Sequence, residues 1–338
     1  MSIVRMGIDL SKSTFHVHAV DGVERVVLQR VMSRNELRRF LAMTPVCTVA
    51  TESCGGAFHW ARYAASCGHR PQIIASQFVR PYVKSNKNDF NDAAAICEAA
   101  SRPSMRFVPT KSIEQQDIQA LHRVRSRRVA QRTAPGNQIR GLLLEFGIAV
   151  GVSFTTLKRR LPEIISDDSN ELTPRGRALF RELYDELVEL EGKIAMVDRR
   201  IGQVFRASET CRRLAEIHGV GPLISTALVA AIGDARAFRN GRHMAAWLGL
   251  VPRQHTTGGK PRLLGISKRG DRHLRTLLIH GARSALRVIG RHTDQRSRWA
   301  ADLARRRGAN IAAVALANKT ARIAWAMLAH GESYRMAA

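Results

Sequence analysis

I-V-R-M-G-I-D-L-S-K-S-T-F-H-V-H-A-V-D-G, residues 3–22, sets the frame of the amino-terminal fold. Ile3–Leu10 is apolar-rich and closes on Asp9. Thr14–Val20 alternates Phe15, Val17 and Ala19 with His16 and His18, and Asp21-Gly22 then supplies a hairpin turn. Glu24–Val31 is the returning strand. His16 and His18 share one strand face, which without further ligands reads as a solvated face rather than a metal site.

Outward from this hairpin, strands and helices alternate. Ser33 with Glu36 three residues on forms a capping box that opens a helix through Leu41. Val46–Thr51 is a further strand with Glu52 at its end. Ala57–Cys67 reads as a helix stopped by Gly68. Gln72–Ala75 is a short strand, and helices follow around Val79 and over Asp89–Ala100. A hairpin followed by αβ units predicts a mixed sheet with helices packed on it, an α/β first domain over residues 1–108.

The rest of the chain reads as all-α. Ser112–Leu144 is rich in helix formers, with a kink or break expected at Pro135-Gly136. Residues 150–172 read as a loop-rich connection. Thr173-Pro174 caps a long helix in which Leu187, Leu190, Ile194, Val197, Ile201 and Val204 recur at coiled-coil spacing. One face of an ordinary amphipathic helix would give the same pattern; a helical arm or dimerisation element over 109–207 is preferred. In the last domain, 208–338, Ile217-His218-Gly219-Val220-Gly221-Pro222 before an apolar helix reads as a helix-hairpin-helix. There Gly219 and Gly221 would let backbone N–H groups approach a phosphate. Arg283–Leu328 carries no evident chemistry and reads as structural.

Composition narrows the function. The 338 residues include 54 Lys and Arg against 28 Asp and Glu, a formal net charge of +26. Residues 1–108 hold 14 basic and 8 acidic side chains, 109–207 hold 17 and 13, and 208–338 hold 23 and 7. The excess of +16 in the last third points to a polyanionic partner there, because each neutralised phosphate releases counterions. No membrane partner is expected: no run of about 18 apolar residues is read in the sequence to span a bilayer. With no signal-peptide pattern at the start, a cytoplasmic location is expected. Cys47, Cys54, Cys67, Cys97 and Cys211 form no C-x-x-C pair and read as reduced, packed thiols.

Four acids in the basic first domain fall at element ends: Asp9, Glu52, Asp89 and Asp92. Asp89 and Asp92 are i and i+3 on one helical face, and Asp9 meets Glu52 if their strands are neighbours. Singly, Asp9 or Asp89 could be a helix cap. Together the four could hold two Mg²⁺ (or Mn²⁺) ions about 4 Å apart, an arrangement suited to phosphodiester cleavage.

G-I-D (Gly7–Asp9), T-E-S (Thr51–Ser53) and N-K-N-D-F-N-D-A (Asn86–Ala93) closely resemble the motifs of the DEDD transposases of insertion sequences, relatives of the Piv-type invertases. A second block, G-L-V-P-R-Q-H-T-T-G-G-K (Gly249–Lys260) with G-I-S-K-R-G-D (Gly265–Asp271), extends the resemblance over nearly the whole chain. It implies a ribonuclease H-like (RuvC-like) carboxylate domain, a coiled-coil arm and a transposase domain with an essential serine that forms a covalent phosphoryl link. It also implies a homo-oligomer, dimer or tetramer, and a non-coding guide (bridge) RNA pairing with donor and target DNA. Here the serine position is held by Thr257, with Ser267 the second choice of nucleophile.

Around Thr257, Lys260, Arg262, Lys268, Arg269, Arg272 and Arg275 supply positive charge for phosphates. Gly258-Gly259-Lys260-Pro261 lacks the spacing of a nucleotide-binding P-loop. Two competing readings remain: a metal-dependent nuclease, junction resolvase or protein-only invertase, and a non-catalytic nucleic-acid binding protein.

Overall fold

A computed structural model describes residues 2–334, Ser85 and Lys87 excepted. Lys87 of the Asn86–Ala93 motif therefore lies outside the described residues. The chain divides into two compact units, Met1–Ser112 and Ile113–Ala338.

The first unit runs β1 (Arg5–Leu10), β2 (Thr14–Val20), β3 (Val26–Ser33), α1 (Arg34–Met43), β4 (Thr48–Glu52), α2 (Ala57–Ser66), β5 (Arg70–Ile74), α3 (Ser76–Val79), α4 (Asp89–Ala100) and β6 (Phe107–Val108). Among the described residues the strands form one sheet in the order β3-β2-β1-β4-β5-β6. β1 pairs β4 and β4 pairs β5 in parallel, while the flanking pairings are antiparallel. This mixed sheet is consistent with the ribonuclease H-like arrangement expected. The turn after β2 is held by Asp21, whose Oδ1 accepts from the N–H groups of Val23 and Arg25. The capping box opens α1 as its sequence demands: the Glu36 N–H donates to Ser33 Oγ at 3.4 Å and the Ser33 N–H to Glu36 Oε2 at 2.7 Å.

Alternation along the strands assigns the two faces. Met6, Ile8, Phe15 and Val17 pack with Leu37, Leu41 and Trp60 of α1 and α2. Each such fully buried large side chain contributes about 1.5–3 kcal/mol. The opposite face carries Gly7 and Asp9 of β1, His16 and His18 of β2, and Ala50 and Glu52 of β4, and α4 packs across it. The histidine face is thus covered rather than solvated. His18 is buried, its Nδ1 lies 3.1 Å from Gln29 Nε2, and burial lowers its pKa.

Among its described residues the second unit is helical except for one hairpin. It comprises α5 (Ile113–Leu144), α6 (Phe154–Ser166), α7 (Pro174–Ala207), α8 (Glu209–Leu214), α9 (Pro222–Ile232), α10 (Gly241–Trp247), β7 (Pro252–Thr257), β8 (Lys260–Ile266), α11 (Arg272–Arg287), α12 (Gln295–Arg307) and α13 (Ala309–His330). Helix α5 runs unbroken through Pro135, contrary to the expected break. Gly136 serves close packing instead, because a Cβ there would collide with the Phe154 ring. The connection expected to be loop is mostly α6, whose Leu157, Leu161, Ile164 and Ile165 are buried against α5 and α7.

The seam of α7 is filled from within the chain. Leu187, Leu190, Ile194, Val197 and Ile201 are buried, and α5 packs along α7. Arg125 bonds Asp198 at 2.5 Å and Arg132 approaches Glu191 at 3.9 Å. As α5 advances from 125 to 132, α7 retreats from 198 to 191, so the pair is antiparallel.

The carboxy-terminal core unites α9, α10, α11 and α13 around Leu228, Met244, Leu248, Leu278 and Leu316. By length and composition α13 is apolar enough to cross a membrane even with Lys319 and Arg322, contrary to the expectation that no such run exists. Its Ala312, Ala313, Leu316, Ala317, Ala321, Ala324 and Met327 are buried in this core, as in the core helix of a globular unit.

Candidate metal centre and nucleic-acid face

Gly7 fixes the first site. A Cβ at this position would overlap the Ala93 carbonyl oxygen, so only glycine lets α4 lie this close to β1. That contact presents the first turn of α4 to the end of β1. Asn88 caps the helix, its Oδ1 accepting from the Phe90 N–H at 2.9 Å, which leaves Asp89 and Asp92 free of capping duty. Asp9 caps nothing either, since Ser11–Ser13 form a turn between strands.

Carboxylate oxygens of Asp9, Asp89 and Asp92 lie within 4.8 Å of one another. Glu52 is the neighbour of Asp9 on the parallel strand, one residue beyond the Ile8–Thr51 pair, and half-buried on the same face. It is not within the 4.8 Å cluster. Its charge still reaches Asp9, whose pKa is raised first by burial, then by Asp92 and Asp89, with Glu52 adding to the push and His16 opposing it. His16 is the cross-strand partner of Asp9, and its Nε2 stands 3.8 Å from Asp89 Oδ2. Its sequence pattern reads as a solvated face, but the β1–β2 hairpin register sets His16 opposite Asp9. Three acids converging beside a fourth, with one imidazole in attendance, is a donor set that fits a hard divalent cation. Without a cation, their mutual repulsion opposes folding.

The second block is a two-stranded hairpin that the sequence reading did not draw out. Thr257 pairs with Lys260 across Gly258-Gly259, both at positive φ (56° and 74°), as a two-residue turn requires. The register decides which groups share a face. His255 pairs with Arg262, so Thr257, Lys260, His255 and Arg262 face one side, and Thr256, Pro261, Gln254 and Leu263 the other. Thr256 Oγ1 accepts from Gln254 Nε2 at 3.0 Å, while Thr257 is exposed. Ser267, after β8, is half-buried and its Oγ accepts from the Arg269 N–H at 3.4 Å.

Lys260, Arg262, Lys268, Arg269 and Arg272 are exposed. Arg275 differs. It is buried, and its Nη1 donates to the carbonyls of Leu248 at 3.0 Å and Arg269 at 3.2 Å, tying the base of the hairpin to α11. Gly219 is likewise committed inward: Cβ atoms at Gly219 and Gly281 would each collide with the other's carbonyl, so the two backbones meet directly. Gly221 has open space around it and leads into α9.

Two family models cover the regions just described. One described as a transposase of the DEDD type matches residues 6–148, and one described as "Transposase IS116/IS110/IS902 family" matches residues 211–298. The chain is 52% identical over 336 residues, 99% of either chain, to a "Probable family 20 transposase" of Pseudomonas aeruginosa. It is 46% identical over 333 residues, 98% of this chain and 92% of the other, to the "Transposase for insertion sequence element IS1111A" of Coxiella burnetii. It is 41% identical over 332 residues, 98% of each chain, to the "Transposase for insertion sequence element IS1328" of Yersinia enterocolitica. With the carboxylate cluster and the basic hairpin each falling inside a matched region, the chain belongs to the DEDD transposases of insertion sequences, enzymes that act on DNA and use a divalent metal ion.

Proposed function

We propose that this transposase is an RNA-guided DNA recombinase that cuts and rejoins strands with Mg²⁺ at Asp9, Glu52, Asp89 and Asp92 and with Thr257 as its nucleophile. The observation that carries the reading is the convergence of Asp9, Asp89 and Asp92 within 4.8 Å, beside Glu52. Bound there, Mg²⁺ would neutralise the acids and stabilise charge building on the phosphate oxygens. Residues 1–108 would supply that pocket, 109–207 the helical arm and 208–338 the hydroxyl.

The chain's own part is nucleophilic. Thr257 Oγ bonds to phosphorus, the P–O bond to the departing strand breaks, and the threonine proton ends on the departing oxygen. That strand leaves with a free hydroxyl, and the other stays linked to Thr257, so rejoining needs no outside energy source. Thr257 is favoured over Ser267 because it stands exposed beside Lys260 and Arg262 on one hairpin face, where a phosphate would find its counter-charges. Lys268, Arg269 and Arg272 extend the phosphate contacts, with backbone approach at Gly221. Arg275 and Gly219 support the fold beneath them. The guide RNA rests on the family resemblance and on the +16 excess of residues 208–338, and a dimer or tetramer on the resemblance alone.

The test is a covalent trap. Protein incubated with donor and target duplexes and Mg²⁺, then denatured, should retain labelled DNA, and Thr257→Ala should abolish that adduct while Ser267→Ala keeps it. Cleavage with no adduct in wild-type protein would favour the nuclease reading, in which water attacks. Sequencing of copurified RNA tests the guide: one structured species supports it, and none points to a protein-only invertase.

A further inference from the structure

One cleft in the second unit is used by none of this chemistry. It holds about 200 Å³ between the segment before α9, the end of α11 and the start of α12. Val288, Ile289 and Leu316 give it apolar walls, and His218, His292 and Arg296 give it planar and polar ones. The His218 and His292 rings lie with centroids 4.0 Å apart and 42° between planes. Burial, and then His292, lower the His218 pKa from its ordinary value.

Arg296 is 94% buried, from a relative exposure of 6%. Its Nη2 donates to Thr320 Oγ1 at 2.6 Å, and both terminal nitrogens reach the His218 carbonyl at 3.4 Å. Its Nε–H has no partner among the described residues. The Tyr334 side chain also bonds this guanidinium, and Arg296 lines the cleft, where it is the charged group that an entering acceptor would meet.

The occupant's chemistry follows from what the cleft refuses as well as what it offers. The volume is below the roughly 300–1,000 Å³ usual for drug-sized ligands, so it suits one ring system and not a whole nucleotide. An inorganic anion fits badly. The walls are largely apolar, and the Asp294 carboxylate already occupies the start of α12, bonding the Ser297 N–H at 3.1 Å and its hydroxyl at 2.6 Å. A flat heteroaromatic ring fits well. It would stack on the imidazoles and apolar walls and offer a ring nitrogen or carbonyl to Arg296, as extrahelical bases are held elsewhere. Val288, 39% exposed at the rim, keeps the entrance apolar.

We infer that the cleft of His218, His292 and Arg296 receives one unpaired nucleobase, of DNA or RNA, extruded from the nucleic acid that the enzyme handles. The inference rests on the family's action on DNA but on neither the Mg²⁺ site nor the nucleophile.

The experiment measures binding of the full chain to a perfect duplex and to the same duplex with one bulged adenine, in DNA and in RNA. Wild-type protein should bind the bulged form about tenfold more tightly in at least one of the two. His292→Ala should bring that ratio below about threefold while leaving perfect-duplex binding unchanged. Ala285→Phe, which fills the cleft from α11, should do the same if His292→Ala folds poorly. Equal binding of bulged and perfect duplexes in both chemistries would overturn the proposal. So would a preference that survives both substitutions, one kept when the bulge is abasic, or one erased by inorganic phosphate alone. Failure to bind any duplex would count against the DNA-acting reading as well.

Discussion

Gly7 and Ala93 meet backbone to backbone, with no room for a side chain between strand and helix: a Cβ on Gly7 would also come within 2.9 Å of Cys97 Cα. Asp92 precedes Ala93 and Asp9 follows Gly7 by two residues, so one tight contact delivers both acids to one place. Gly7→Ala should therefore cost about 1–3 kcal/mol of stability, the usual range for overpacking. It should also abolish strand cleavage by lifting α4 and its carboxylates. Denaturant unfolding and a cleavage assay check the two effects, and cleavage at wild-type rate would break the link between them.

Asp9 should be a liability to the metal-free fold. Its folded pKa is raised above the usual 3.8, by burial first and then by Asp92 and Asp89. The folded state holds the proton more tightly than the unfolded chain. Stability present below pH 3.8 is thus lost as pH rises through the folded value. At neutral pH Asp9→Asn should raise the melting temperature of metal-free protein while eliminating cleavage, and added Mg²⁺ should raise it less than in wild type. A lower melting temperature in the variant would contradict this.

The basic residues around the hairpin should separate into two groups. Lys260→Ala and Arg262→Ala should each weaken DNA binding and reduce the slope of log K against log salt by about 0.9. Arg275→Ala should leave that slope unchanged and lower the melting temperature, because its guanidinium holds the Leu248 and Arg269 carbonyls. Binding titrations across salt concentrations distinguish them.

His122 gives the second unit an acid limit. Burial, with His273 and Arg125 nearby, pulls its pKa down to about 4, and its Nε2 lies 2.9 Å from Thr226 Oγ1 on α9. Thr226 donates to the Pro222 carbonyl at 2.6 Å, so His122 donates to Thr226 and is neutral. The unfolded chain then binds the proton first as pH falls. Stability held above about 6.5 should decline toward pH 4, by roughly 3 kcal/mol in all. Melting curves across that window should flatten in His122→Gln.

What was legible in the sequence was local. Ser33 and Glu36, and Thr173 with Pro174, announce helix starts because capping needs only neighbours in the chain. Asp9, Glu52, Asp89 and Asp92 were legible because strand and helix ends are where such a sheet gathers side chains. Pro135 misled, and 150–172 was read as loop, because tertiary packing holds α5 and α6 as helices. Gly258-Gly259 was tested only against a P-loop, while its place as a hairpin turn went unread. The grouping of His218, His292 and Arg296 had no local signal: helices from distant stretches of chain bring it together.

The filled seam of α7 bears on how copies of this chain could associate. Any partner seeking that seam must first displace α5, along with the Arg125–Asp198 pairing that fastens it. Joining there would be an exchange of like for like, each protomer lending its α5 to the other. Subunits joined that way would trade places only as slowly as the helix pair comes apart. Rapid, reversible assembly on DNA would have to use faces that are already polar and open.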